Sequence, residues 1–486
     1  MEAPPDSTPA RPAASPSRYK WLVVAVVGSG VFMSTLSQGS LNVALPTIAA
    51  EFQVDLTVVQ WLSLAYGLGV TSLLLSTARL ADIVGRRRMY LIGYAVFGIG
   101  AVICSLMPTI YLIIAGRVVQ SIGAAMLQST GAALLVSAFP AGQRGRAMGI
   151  NGSFVSSGIL MGPVVGGLLT EAFGWRANLL VGVPIAIVGL IIGSRILREA
   201  REARGESFDY FGGVLLAMWV APLVFMLNQG QRAGWDSPRI MVSAIIFIVA
   251  IAGFFYVQRR RLYPIVDLAV FKVRQFSLSV GIALVTNMAR AGSTLLTPFL
   301  LQILLGISVG QVGFMMALVP LGSILLAFVG GAVADRWGPR IPSTLGLLLM
   351  AAGIASLGFV ESTTSLTSVA PRLFLIGIGQ GFFISPNSSS IMGALPHNRL
   401  ALAGGFLAWS RTFGVSVGQA TWGAIFAVVV ISASGIPVAL EAGADAMQAG
   451  FRAVYLSAAA MLLVAAFLSS FRGRVDQPAG SSTTSG

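Results

Sequence analysis

The chain has 486 residues, of which 56% are hydrophobic and only 10% are charged, whereas soluble domains average about 25% charged residues. This small number of charges cannot solvate the surface of a protein of this size. The composition therefore excludes a soluble enzyme and indicates an integral membrane protein. The net charge of +14 does not indicate nucleic-acid binding, because the arginines fall in short gaps between apolar runs and no reading motif is present.

Apolar runs long enough to cross a bilayer, about 20 residues each, follow one another along the chain. They are preceded by residues 1–20, a segment rich in Pro, Ala and Ser that predicts a disordered cytoplasmic tail. The pattern predicts an all-α membrane protein. Fourteen transmembrane helices are predicted, at residues 21–45, 57–77, 89–107, 110–138, 147–170, 178–196, 210–228, 240–257, 276–301, 311–333, 342–360, 370–394, 401–432 and 452–471.

The basic residues are distributed unequally between the two sides of these helices. If the helices alternate in direction, 23 of the 31 lysines and arginines lie on the side that holds the N-terminus. Short positively charged loops stay in the cytoplasm. We therefore expect both termini to be cytoplasmic and the protein to be a multi-pass component of the plasma or inner membrane.

A short loop motif occurs twice. Residues 82–88 read Asp-Ile-Val-Gly-Arg-Arg-Arg and residues 335–340 read Asp-Arg-Trp-Gly-Pro-Arg, so both keep Asp-x-x-Gly followed by arginine. A motif that recurs in matching loops indicates two homologous halves. The predicted organisation is a tail at 1–20, a six-helix bundle at 21–197, two inserted helices with linkers at 198–275, a second six-helix bundle at 276–471 and a disordered cytoplasmic tail at 472–486.

Further motifs lie in the first half of the chain. Residues 117–125 read Arg-Val-Val-Gln-Ser-Ile-Gly-Ala-Ala, and the fifth predicted helix carries regularly spaced glycines around Pro163. Together with the repeated loop, these segments resemble motifs A, B and C of the major facilitator superfamily, and in particular its fourteen-helix drug:proton antiporters of the multidrug efflux type. The resemblance covers nearly the whole chain, and it implies two six-helix bundles, two inserted helices and alternating-access transport.

The resemblance also implies roles for the motif residues. Motif A would latch the cytoplasmic gate, motif B would belong to a proton relay, and motif C would form a hinge that favours antiport. Simple anchoring of loops, capping of carbonyls and close helix packing are the alternatives for the three motifs. The residues are Asp82, Gly85, Arg86, Arg87, Asp335, Gly338 and Arg340 for motif A, Arg117 and Gln120 for motif B, and Gly149, Gly158, Gly162, Pro163, Gly166 and Gly167 for motif C.

Three arginines fall in the interior of predicted helices, away from the helix ends: Arg117, Arg290 and Arg411. A charge at the bilayer centre costs about 2.5–3.5 kcal/mol on insertion scales, so each suggests a function or a buried partner. Arg290 shares a helix face with other polar residues, which predicts that this face lines a cavity. The predicted substrate cavity comprises Ser34, Ser37, Gln38, Asn42, Tyr66, Asn287, Arg290, Thr294, Trp409 and Arg411.

One departure from the family pattern bears on the coupling ion. Drug antiporters of this type usually carry an aspartate shortly before the Asn-Val-Ala-Leu-Pro run, and the residue here is Ser37. No Asp or Glu lies inside any predicted helix, and an arginine cannot replace a carboxylate because it stays protonated. Two hypotheses follow. The chain exports amphipathic small molecules or drugs, with proton coupling in question, or it transports an anionic or lipidic substrate held by the cavity arginines.

The sequence does not indicate an enzyme. It contains no cluster of His, Cys and carboxylates, no nucleophile elbow and no phosphate-binding loop. We therefore expect neither a cofactor nor a metal. The expected partners are membrane lipid and an amphipathic small-molecule substrate, with an anion or a lipid as candidates for that substrate. Protons are a candidate coupling ion. We expect the protein to be a monomer and not to bind nucleic acid.

Overall fold

The computed structural model describes residues 16–139, 143–199, 210–260, 268–396, 400–436 and 438–472, and no β-strand occurs in these ranges. Three short helical turns, at Leu268–Lys272, Leu300–Leu304 and Ala439–Glu441, connect longer helices. The helices are α1 Pro16–Phe52, α2 Leu56–Val59, α3 Trp61–Val84, α4 Arg86–Leu106, α5 Ile110–Ala138, α6 Arg144–Phe173, α7 Arg176–Leu180, α8 Val183–Ile196, α9 Tyr210–Ala233, α10 Pro238–Arg260, α11 Arg274–Phe299, α12 Val309–Trp337, α13 Arg340–Leu357, α14 Leu366–Gly393, α15 Leu400–Ser434 and α16 Ala444–Ser470.

Among the described residues, 12 helical stretches are both long and apolar enough to cross a membrane. This confirms an all-α, multi-pass membrane protein but not the predicted count of fourteen. The two helices outside this set are α9 and α11. The apolar part of α9 runs only from Val214 to Gly230, and α11 is interrupted by polar residues that include Asn287 and Arg290.

The helix ends differ from the prediction at the N-terminus. Helix α1 begins at Pro16, so the last five residues of the segment predicted as a disordered tail are helical. Contacts with neighbouring segments stabilise this extension: Arg198 stacks over the ring of Tyr19 at 4.6 Å, and the Lys20 ammonium donates to Gln143 Oε1 at 3.4 Å. Residues 1–15 and 473–486, the remainder of the two predicted tails, lie outside the described residues.

The helices pack as two bundles with an inserted pair. Helices α1–α8 contact one another, as do α11–α16, and the two bundles meet where α6 packs against α12 and where α3 packs against α15. The inserted helices α9 and α10 pack together, and α9 contacts both α3 and α15. In the first of these contacts Trp61 Nε1 donates to Asn228 Oδ1 at 2.7 Å. Helix α9 therefore bridges the two bundles on one side.

Glycines set the distance between α6 and its two neighbours. Gly158, Gly162 and Gly166 face α1, where the Cβ of any other residue at Gly162 would lie 2.9 Å from Gly39 Cα. Gly167 faces α12, where a Cβ would lie 2.6 Å from the Val309 carbonyl oxygen. Only glycine permits such close backbone contact. Four motif C residues, Gly158, Gly162, Gly166 and Gly167, therefore form tight helix packing within the first bundle and between the bundles, whereas Gly149 has no neighbour within 4 Å of its Cβ position.

Candidate functional site

A central cavity lies between the two bundles. It has a volume of about 170 Å³, and most of its wall surface is apolar. The walls are formed by α1, α3, α5 and α6 on one side and by α11, α12, α14 and α15 on the other. Its polar lining residues are Thr35, Gln38, Asn42, Tyr66, Gln128, Arg290, Ser293, Thr294, Thr297, Gln380, Arg411 and Thr412.

The cavity is closed at one end of the bundles. At that end Gln302, which follows α11, donates to the Val43 carbonyl at 2.8 Å and accepts from Thr47 at 3.2 Å. These bonds join the C-terminal half of α1 to the second bundle. The contact of Gly167 with α12 lies at the same end. The contact between α1 and Gln302 and the contact between α6 and α12 therefore both contribute to the closure.

The opposite end, which holds the N-terminus of α1, is open along α6 and α12. Eighteen residues make about five helical turns, so Gly149 lies on the same face of α6 as Gly167. A Cβ on Gly149 would meet no other atom within 4 Å, and the same is true of Gly152. At these two positions, about four and five turns before Gly167, α6 therefore has no close neighbour among the described residues, which indicates that the bundles diverge towards this end.

Six of the ten predicted cavity residues line the cavity: Gln38, Asn42, Tyr66, Arg290, Thr294 and Arg411. The other four, Ser34, Ser37, Asn287 and Trp409, do not. Ser34 and Ser37 are fully buried in helix packing, where Ser34 donates to the Val31 carbonyl at 3.0 Å.

The remaining two residues turn away from the cavity because of their neighbours. Asn287 donates to the Ala283 carbonyl of its own helix at 2.7 Å, and its Cβ lies against Gly414 of α15. Trp409 stacks on Phe413 with ring centroids 4.6 Å apart and lies 6.4 Å from the ring of Trp219. Trp409 therefore packs α15 against the inserted helix α9 and does not form a wall of the cavity.

Arg290 and Arg411 are the charged residues of the cavity lining. Arg290 Nη1 donates to Thr294 Oγ1 across a long distance of 3.5 Å. Within the described part of the chain, Arg411 makes no hydrogen bond to another residue, and neither arginine has an acidic partner. The lining thus carries two positive charges and no carboxylate. Such a surface favours anions and disfavours organic cations.

Arg117, the third predicted arginine, lies outside the cavity. Its side chain is fully buried; Nε donates to the Leu62 carbonyl at 3.0 Å and Nη1 donates to Gln120 Oε1 at 2.6 Å. The guanidinium also stacks over the ring of Tyr66 at 4.3 Å. These contacts hold α5 against α3 within the first bundle, an arrangement that agrees with the structural alternative for motif B.

Sequence reasoning missed several neutral polar residues of the lining, most notably Gln128 and Gln380. Gln380 Oε1 is buried and has no hydrogen-bond partner among the described residues. It can therefore accept a hydrogen bond from a molecule in the cavity. Glutamine is common in helices and carries no charge, so the one available signal was the run Gly377, Gly379 and Gly381, which brings α14 close to α12 and α13.

The two motif A loops differ. In the first loop, Asp82 forms an ion pair with Arg86 at 2.9 Å, and Gly85 turns the chain with a φ of 118° that other residues rarely adopt. Glu199, a residue that the sequence did not single out, accepts from the Arg87 backbone N–H at 3.3 Å. In the second loop Asp335 is exposed and has no ion-pair partner within the described residues.

The second loop nevertheless keeps the backbone turn, since Gly338 has a φ of 80° and α13 begins at Arg340. The first and second loops thus share their geometry but not their ion pairs. Elsewhere in the described ranges, no group of three or more His, Cys, Asp or Glu residues is arranged to hold a metal ion.

Comparison with known proteins agrees with this architecture. The family model described as Major Facilitator Superfamily matches residues 27–285 and 282–485. The riboflavin transporter RibZ of Clostridioides difficile is 31% identical over 411 residues, which cover 84% of this chain and 89% of that protein. The multidrug resistance protein Stp of Mycobacterium tuberculosis is 32% identical over 412 residues, covering 85% of this chain and 76% of that protein.

A third relative is the tetracenomycin C resistance and export protein of Streptomyces glaucescens, 30% identical over 421 residues that cover 86% of this chain and 78% of that protein. The fold also matches the crystal structure of a bacterial homologue of the human lysosomal transporter Spinster in an inward-facing, unoccupied conformation. The TM-score is 0.66 at 16% identity, covering 93% of this chain and 96% of that one. The chain therefore belongs to the major facilitator superfamily of membrane transporters, which are not enzymes, and it resembles the drug-efflux members of that family.

Proposed function

We propose that this protein is a secondary transporter with fourteen transmembrane helices that moves an amphipathic small molecule bearing an anionic group. The count adds α9 and α11 to the 12 apolar stretches. Helix α11 has 26 residues, which is ample for a bilayer crossing, and its polar face borders the cavity, where lipid does not reach it. Helix α9 has 24 residues and packs against α3 and α15.

One observation carries the choice of substrate class: Arg290 and Arg411 line the same cavity without a carboxylate among the lining residues. An anionic group of the substrate can accept charge-assisted hydrogen bonds from both guanidinium groups. Apolar lining residues such as Val70, Met316 and Val415 would contact an apolar body. Together these contacts suit a molecule with one charged end and a hydrophobic remainder.

The transport mechanism in this proposal is alternating access. The cavity is closed at one end and open at the other, and the bundles meet along glycine-rich surfaces of α6 and α12. With both termini in the cytoplasm, as the arginine distribution predicts, the open end faces inward and the protein receives its substrate from the cytoplasm. Export across the plasma membrane follows when the bundles rock about the cavity.

A second candidate function is the export of neutral or cationic drugs in exchange for protons. The names of two relatives, a multidrug resistance protein and a tetracenomycin C export protein, favour it. This candidate requires a proton carrier, and the lining contains no residue that titrates near neutral pH. The geometry of the cavity therefore supports the anionic substrate better.

Transport assays in proteoliposomes distinguish the two candidates. Riboflavin and flavin mononucleotide share a ring system and differ by a phosphate group, so they form a matched neutral and anionic pair, and ethidium supplies a cation. We expect flavin mononucleotide to be transported faster than riboflavin and ethidium not at all. Transport of flavin mononucleotide should be lost in Arg290→Gln and kept in Arg372→Gln, an arginine that bonds the Ser356 carbonyl outside the cavity.

Ethidium transport driven by a pH gradient and unchanged in Arg290→Gln would contradict the proposal. That result would establish the drug–proton antiporter instead. Equal rates for riboflavin and flavin mononucleotide, in wild type and variants alike, would also contradict the role of the two arginines.

A further inference from the structure

We infer that this transporter is an obligatory anion exchanger: the loaded cavity changes sides readily, and the empty cavity does not. Each exported anion must then be followed by an anion that returns through the same cavity. The inference rests on the proposed anionic substrate and adds a second substrate class, a counter-anion taken up from the opposite side.

The first step concerns the partners of the two arginines. Arg290 and Arg411 both belong to the second bundle, and the polar residues opposite them in the first bundle are neutral. They are Thr35, Gln38, Asn42, Tyr66 and Gln128. The amide oxygen of Asn42 already accepts a hydrogen bond from Ser63 at 2.6 Å. Neutral amides can accept hydrogen bonds from a guanidinium, but they do not balance its charge.

The second step is a comparison with buried arginines elsewhere in the chain. Arg117 donates to Leu62 and Gln120, and Arg472 donates to Ser343 and Asn387. Each has at least two protein acceptors, as buried charges generally require. Arg290 has one long hydrogen bond, and Arg411 has none to the described residues. Arg290 and Arg411 therefore keep hydrogen-bond donors that a ligand can reach, whereas Arg117 and Arg472 are bonded within the protein.

The third step concerns the closed intermediate through which an alternating-access transporter must pass. In the present open state water can reach the cavity and solvate both guanidinium groups. Closing both ends limits this water and surrounds two like charges with mostly apolar walls. Such a state is unfavourable because both groups are desolvated and they repel each other. A bound anion offsets both effects, so the barrier should be lower for the loaded protein.

The test compares exchange with net transport in wild-type proteoliposomes. Vesicles loaded with radiolabelled flavin mononucleotide are diluted into gluconate medium with or without external unlabelled flavin mononucleotide. Potassium and valinomycin clamp the membrane potential, so that charge movement does not limit net efflux. We expect external flavin mononucleotide to accelerate efflux by about tenfold or more, which corresponds to a barrier difference of about 1.4 kcal/mol. External riboflavin, the matched neutral compound, should not accelerate efflux.

Equal efflux with and without external flavin mononucleotide would overturn the exchange inference and leave the proposed function intact. Absence of efflux in both conditions, together with transport of ethidium, would overturn the proposed function and the inference with it. A second measurement uses Arg411→Gln, which lowers the charge of the cavity. If this variant still transports flavin mononucleotide, external flavin mononucleotide should accelerate its efflux little. In Arg372→Gln the acceleration should equal that of the wild type.

Discussion

Arg117 of the first bundle and Arg411 of the second both lie within membrane-spanning helices, yet the protein surrounds them differently. Arg117 is fully buried, bonded to a carbonyl and an amide and stacked on Tyr66. Arg411 borders the central cavity and bonds to no described residue. An arginine inside a membrane helix is thus not by itself evidence of a binding site. The distinguishing property is whether the guanidinium is bonded and enclosed within the protein or faces a cavity that a ligand can enter.

The largest effect is expected from Arg117→Leu. The substitution removes the hydrogen bond to the Leu62 carbonyl and leaves the buried Gln120 Oε1 without its donor, and we expect a loss of about 3 kcal/mol in the free energy of unfolding. Thermal unfolding of the purified protein in detergent measures it. A variant as stable as the wild type would show that Arg117 is not a structural arginine, and would restore the proton-relay interpretation of motif B.

A nearly equal effect is expected from a ligand in the cavity. Flavin mononucleotide at one hundred times its dissociation constant should stabilise the wild-type protein by about 2.7 kcal/mol. The same thermal unfolding assay should show little stabilisation of Arg411→Gln and full stabilisation of the control Arg372→Gln. Stabilisation that persists in Arg411→Gln would place the anion elsewhere.

A smaller effect of opposite sign is expected from Arg411→Leu. Because this arginine has no hydrogen-bond partner among the described residues, replacing it with an apolar residue removes an unbalanced charge from a site whose wall surface is mostly apolar. We expect the ligand-free protein to gain about 1 kcal/mol of stability. Destabilisation comparable to that of Arg117→Leu would remove the contrast between the two arginines.

The smallest effect is expected from Thr294→Val. The bond from Arg290 to Thr294 is 3.5 Å long, at the weak limit for a hydrogen bond, so its loss should change the free energy of unfolding by less than about 0.5 kcal/mol. Thermal unfolding of the ligand-free protein provides the comparison. A larger loss would mean that Thr294 satisfies Arg290 in the absence of ligand and would weaken the case for a cavity with free donors.

The sequence predicted those features that depend on local composition. Apolar runs placed the helices, and charges inside these runs identified Arg290 and Arg411, because a charge in a membrane helix is rare enough to stand out. The stripe Ser34, Gln38 and Asn42 was only partly correct. Positions eight residues apart differ by about 80° around a helix, so Asn42 reaches the cavity while Ser34 turns into the packing of the first bundle.

The remaining errors arise from contacts between distant parts of the chain. Trp409 lies outside the cavity because Trp219, a residue of the inserted helix α9, packs against it, and no local pattern reveals which neighbour an aromatic residue will find. Glu199 reaches the first motif A loop from the end of α8, more than a hundred residues further along the chain. Gln128 and Gln380 line the cavity through helix rotation, which depends on tertiary packing.

The bridge formed by α9 constrains how the two bundles can move. Trp61 of α3 bonds to Asn228, and Trp409 of α15 lies beside Trp219, so one inserted helix is attached to both bundles along the α3–α15 seam. The contact between α6 and α12 has no such attachment in the described ranges. These two helices already diverge at Gly152 and Gly149, near the N-terminal end of α6. In the proposed alternating-access mechanism we therefore expect the rotation axis to lie close to α9, with displacements that grow towards α6 and α12, and bulky substrates to enter and leave along that side of the molecule.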